Sequence, residues 1–79
     1  MEKELTKRIV VDQKVMVGKP VIKGTRVTVY EIINRIAQGQ SFEAIEEDLE
    51  ITRRDIKAAL TYAGNLAENE EIFPLISGS

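Results

Sequence analysis

The sequence predicts a mainly helical domain: a three-helix, helix-turn-helix unit behind a short N-terminal β element. Three observations carry this. Residues 28–66 hold three apolar stripes at helical spacing, each preceded by a capping residue. Residues 9–27 hold short β-favouring runs broken at glycines. The second and third stripes are joined by only Glu50-Ile51, a tight helix–helix connection.

The β element comes first. Ile9-Val10-Val11 and Val15-Met16-Val17 are expected strands, and Gly18-Lys19-Pro20 separates them from Val21-Ile22-Lys23. Gly18 can take positive φ, and Pro20 biases Lys19 toward extended backbone. Gly24-Thr25-Arg26 breaks the pattern again before Val27. Two or three short strands do not stand alone in water, so Ile9–Val11 and Val21–Val27 are expected to pair within a hairpin or between two chains.

The helices follow. Thr28 and Glu31 form an expected capping box ahead of the stripe Val29, Ile32, Ile33, Ile36 and Ala37. Gly39 is the expected stop. Ser41 caps a second helix, whose stripe is Phe42, Ile45 and Leu49, with Glu43 favourably placed in its first turn. Thr52 caps a third, with Asp55 at its third position and the stripe Ile56, Ala59, Leu60, Ala63 and Ala67. Tyr30, Tyr62 and Met16 are expected to be packing residues. The 79 residues read as one domain: strands over 9–27, helices over 28–66 and a tail over 67–79.

Composition narrows function. With no Cys and no His, thiol chemistry, disulfides, Cys/His zinc sites and imidazole acid–base catalysis are excluded. No enzyme, cofactor or metal site is expected. No apolar run is long enough for a membrane span, and the N-terminus lacks the apolar core of a signal peptide, so the expected location is the cytoplasm. The net charge of −2 is unevenly spread. Residues 1–27 carry seven cations and three anions, a net of +4; residues 28–79 carry four cations and ten anions, a net of −6. Such asymmetry suggests two surfaces with different partners.

The third helix would be the reader of a major groove. Its candidate contacts are Arg53, Arg54, Lys57 and Thr61, with Asn65 further along, and Lys23 and Arg26 are candidates on the basic half. Arg53 and Arg54 occupy a first turn, where the helix dipole disfavours cations by about 0.3–1 kcal/mol each. Either they meet a ligand or they pair with the nearby carboxylates Glu46, Glu47, Asp48 and Glu50. Against DNA, the second helix carries Glu43, Glu46, Glu47 and Asp48, which would repel phosphates unless they point away. Ile72, Phe73 and Leu75 form an apolar patch in the tail and are candidates for partner binding. Gly18-Lys19-Pro20 and Gly24-Thr25-Arg26 lack the spacing of a phosphate-binding loop and read better as turn chemistry.

The run Gly18-Lys19-Pro20-Val21-Ile22-Lys23-Gly24-Thr25-Arg26-Val27-Thr28-Val29 resembles the "GKPVIRGTRIPV" signature of domain-of-unknown-function family 433. Gly39, Ser41, Glu43 and the stretch 52–63, similar to "LTPEDIRAALAYA", extend the likeness across roughly residues 9 to 63. The resemblance implies a homeodomain-like trihelical fold and a homodimer. It also implies a VapB-type antitoxin role against a toxin of PIN-like nuclease fold, without enzyme activity or cofactor. A protein-interaction module without nucleic-acid contact is the alternative. The chain departs from the pattern in three places. Val17 stands where many members have Gly, the turn before Thr52 is about one residue short and lacks Pro, and Arg53-Arg54 replaces Pro-Glu.

Overall fold

A computed structural model describes residues 2–68. Three strands, β1 (Lys3–Glu4), β2 (Ile9–Val11) and β3 (Val21–Ile22), precede three helices, α1 (Val29–Ala37), α2 (Phe42–Leu49) and α3 (Arg53–Glu68). The strands form one antiparallel sheet in the order β1-β2-β3, with Lys3 opposite Val11, Ile9 opposite Ile22 and Val10 opposite Val21. Pairing among the described residues is therefore within the chain. β1 lies before the expected strand region; its charged sequence gives no apolar alternation to read.

Side chains alternate across a strand, so the two cross-strand pairs serve opposite faces. Ile9 and Ile22 join the helices in a core with Val29, Ile32, Ile45, Ile51, Ile56 and Ala59. Ile9, Ile32, Ile45 and Ile56 are fully buried, each contributing about 1.5–3 kcal/mol of burial. Val10 and Val21, also buried, lie outside this cluster on the other face. There they share a cavity of about 450 Å³ with Glu2, Asp12, Val15, Gly24, Thr25 and Arg26.

The expected strand at Val15–Val17 stops at Val15, which is extended and bridges Asp12; a left-handed turn follows. Met16, Val17 and Gly18 take φ of 49°, 55° and 75°. The cause lies at Asp12, whose Oδ1 accepts the Lys14 backbone N–H at 2.9 Å, while its carbonyl accepts the Val15 N–H at 2.9 Å. An aspartate that captures a backbone N–H two residues on closes a turn and ends β2. Met16 and Val17 are exposed, Val17 by 84%. The positive φ at Gly18 is what favours glycine there; a Cβ would also come to 3.0 Å from the amide end of the exposed Gln13 side chain, which would have to shift.

The second break is also a turn, so the strand expected over Val21–Val27 stops at Ile22. Thr25 Oγ1 donates to the Ile22 carbonyl at 2.8 Å and accepts the Val27 N–H at 3.0 Å. Ile22 N–H donates to the Val27 carbonyl, and Val21 bridges Thr28. Val29 N–H donates to the Pro20 carbonyl, delivering the chain into α1.

The helix ends follow local chemistry. Thr28 and Ser41 accept the N–H of Glu31 and Ala44. The reciprocal half of the Thr28 box is absent among the described residues, because Glu31 turns its carboxylate to Arg35 at 3.1 Å. At the end of α1, Gly39 takes φ of 88°, and the N–H groups of Gly39 and Gln40 donate to the Ile36 and Arg35 carbonyls. That is a Schellman termination. α2 ends on Glu50 in the same left-handed region, at φ 55°. Two stripe positions and, besides Met16, one expected packing residue differ from expectation. Ala37 is exposed at the helix end, Leu60 is 39% exposed, and Tyr30 is 72% exposed; Tyr62 packs on the core. Among the described residues no helix is long and apolar enough to cross a membrane.

Candidate nucleic-acid interface

α3 is positioned from both ends of the molecule. Its first turn is a capping box with both halves made: Thr52 Oγ1 accepts the Asp55 N–H at 3.3 Å, and Asp55 Oδ2 accepts the Thr52 N–H at 3.0 Å. The other oxygen of Asp55 accepts Arg8 Nη1 at 2.9 Å. Asp55 is 7% exposed, so its charge sits in a site where both oxygens are occupied. One carboxylate thus caps α3 and clips it to the residue before β2. The sequence marks Asp55 as a cap but holds no local signal for Arg8.

Arg53 and Arg54 part company. Arg53 turns toward α2, with Nε 3.1 Å from Glu46 and Nη2 3.5 Å from Glu43. Its guanidinium lies 5.1 Å from the centre of the Phe42 ring. Of the two alternatives for this pair, carboxylate pairing holds for Arg53. Arg54 is exposed and makes no ion pair among the described residues. A helix turns about 100° per residue, which sets Arg54 midway between Arg53 and Asp55 on the outer arc. Lys57, Thr61 and Asn65 are exposed on the same side of α3.

Three of the α2 carboxylates share two arginines. Arg53 meets Glu43 and Glu46, and Arg35 meets Asp48 at 3.1 Å. Gln40 Nε2 also donates to Asp48 at 2.7 Å. Glu47 and Glu50 are exposed and unpaired among the described residues.

Lys23 and Arg26, three residues apart, are separated. Lys23 lines a cleft of about 310 Å³ with Lys7, Arg8, Ile22 and Asp55, between the sheet and the start of α3. Arg26 lines the other cavity, beside Glu2 and Asp12. Asp12 is held below the ordinary value of 3.8, chiefly because the Lys14 N–H donates to its charged form. In the glycine motif, Gly18, Gly24 and Thr25 are used in turns and the Pro20 carbonyl accepts the Val29 N–H, while Lys19 is exposed. Ile72, Phe73 and Leu75 lie outside the described residues.

Comparison with known proteins bears out the family resemblance of the chain. The profile of the family described as "Protein of unknown function (DUF433)" matches residues 9–63, well over half of the chain. A 22-residue stretch is 82% identical to an "Uncharacterized protein" of Archaeoglobus fulgidus, covering 28% of this chain and 61% of that relative. The matched stretch thus spans about three-fifths of the relative's length. No solved structure matches the chain. On the extent of the profile match, the chain belongs to the DUF433 family.

Proposed function

We propose that the protein is an antitoxin-like, helix-turn-helix regulator that binds duplex DNA through α3. The observation that supports this most is the partial screening of α2. Four carboxylates beside a phosphate backbone would oppose binding, but Arg53 offsets one charge of the Glu43–Glu46 pair and Arg35 lies between Asp48 and Glu31, leaving Glu47 unpaired among the described residues. Arg54 and Lys57 then face outward without carboxylate partners among the described residues, in the residue types that contact phosphates and base edges. In this reading Arg53 screens α2, and Arg54 and Lys57 touch the nucleic acid. The chain carries out no catalysis.

The measurement is duplex binding across a salt series. Affinity should fall steeply with salt, with a log–log slope near −0.9 for each phosphate neutralised. Failure to bind duplex at low salt would remove the DNA reading. A protein-interaction module would then take its place.

The neutralised partner, a toxin of PIN-like nuclease fold, rests on the resemblance. Capture from the native host, with and without nuclease treatment, should retain a small nuclease-fold protein in both runs. Its absence from both removes the antitoxin half. The regulator acts as a homodimer in this reading, and light scattering giving a monomer at tens of micromolar would overturn that element.

A further inference from the structure

The cleft between the sheet and the start of α3 is more basic than any reading of α3 requires. Lys7, Arg8 and Lys23 line it around the apolar side chain of Ile22, with Asp55 as its one carboxylate. Asp55 is fully used, by Arg8 on one oxygen and by the Thr52 N–H on the other. Arg8 commits Nη1 to it and keeps a side chain 42% exposed, so the rest of its fork is open to a second acceptor. Lys7 makes no ion pair among the described residues. Lys23 has only a long contact with Glu4, at 3.9 Å between two half-exposed side chains. Three cations against Asp55 and the neighbouring Glu4 leave a concave site with a net charge of about +1 among the described residues.

We propose that this cleft binds a phosphate group, and that in the DNA complex it holds a backbone phosphodiester beside the groove that α3 enters. The second part rests on the DNA reading above. Sheet and helix are joined at this point by the Arg8–Asp55 pair, and Arg54, the residue before Asp55, projects about 100° round α3 from the cleft. Contacts to phosphate fix the register of a duplex on the protein, while contacts to bases specify sequence. The N-terminal sheet supplies such a register contact, through Lys7 and Arg8 as well as Lys23.

The test uses the full chain and a double variant, Lys7→Gln/Lys23→Gln. Arg8 stays, because it holds Asp55. Both lysines are exposed, and amide spectra should stay as dispersed as in the wild type. Binding to a mixed-sequence duplex is followed by fluorescence anisotropy over a range of sodium chloride, with Arg54→Gln in parallel. In a second arm, amide spectra of the wild type are recorded with inorganic phosphate. Losing one phosphate contact should flatten the log–log slope by about 0.9 and weaken binding about tenfold near 0.1 M salt. Inorganic phosphate should move the amides of Arg8 and Lys23.

An unchanged slope in the double variant, with a flattened one in Arg54→Gln, overturns the cleft contact and leaves the DNA reading standing. Phosphate-induced shifts with no duplex binding by the wild type leave the phosphate site standing and overturn its place in a DNA complex. No response to either probe overturns both.

Discussion

Arg8 Nη1 stands 2.9 Å from Asp55 Oδ1, across 47 residues of sequence. This contact joins a basic, β-forming half to an acidic, helical half. Asp55 also caps α3 through its other oxygen, so the orientation of α3 and its first turn depend on the same buried carboxylate. Removing Asp55 should cost about 2 kcal/mol, combining a lost cap with a lost charge-assisted hydrogen bond. Arg8→Ala should cost about 1 kcal/mol, because Arg8 is partly solvated. A double-mutant cycle by urea unfolding should give a coupling of about 1 kcal/mol; additivity within about 0.3 kcal/mol would mean the pair is not coupled.

Three residues with side chains, Met16, Val17 and Glu50, occupy the left-handed region at a cost. Val17 at φ 55° is β-branched, and Glu50 at φ 55° ends α2 where glycine is usual. Left-handed backbone costs about 1–2 kcal/mol for a residue with a Cβ, and glycine gives back about 0.5–1 kcal/mol through unfolded-state entropy. Val17→Gly and Glu50→Gly should each stabilise by about 0.5–1 kcal/mol in thermal or urea melts. Gly39→Ala, at φ 88°, should do the reverse by about 1 kcal/mol. Opposite signs would refute the assigned backbone.

Arg53 and Arg54 should answer differently to mutation. Arg53→Gln should weaken duplex binding several-fold by exposing Glu43 and Glu46 to the phosphates. The triple variant with Glu43→Gln and Glu46→Gln should recover wild-type affinity to within about twofold. Arg54→Gln should flatten the salt slope by about 0.9, and the same two neutralisations should not rescue it. Equal rescue of both would place Arg53 and Arg54 in the same role.

Asp12 carries the acid sensitivity of the turn after β2. Its folded value lies below 3.8 because the Lys14 N–H stabilises the carboxylate. A carboxyl depressed in the folded state contributes stability above its unfolded value, and loses it as pH falls through the folded one. Unfolding midpoints measured between pH 6 and pH 2 should therefore fall more steeply below about pH 4 for the wild type than for Asp12→Asn. Identical profiles would show that the turn does not depend on the charge.

Much of the helical half is legible in the sequence because its signals are local. A cap and its acceptor are three residues apart, as at Thr28, Ser41 and Thr52, and a stripe repeats within one helix. Gly39 announces a Schellman end on its own. The turn at Met16–Gly18 was equally local, carried by Asp12 and its bond to Lys14, but the β propensity of Val15 and Val17 masks it. Propensity says what a residue favours; one side-chain hydrogen bond outweighed it here.

The basic cleft is of another kind. Nothing near Lys7, Arg8 or Lys23 in the chain points to Asp55, and nothing about Arg53 and Arg54 says that one turns to α2 and the other to solvent. Composition, caps, stripes and the Gly-Thr-Arg run establish a three-helix DUF433 chain with a small β element, because these are short-range or charge-counting properties. Which cations face outward, and which share a cleft, depends on the packing of the sheet against α3. Pairing energies between distant charges arise only once the chain has folded and brought them within a few ångströms.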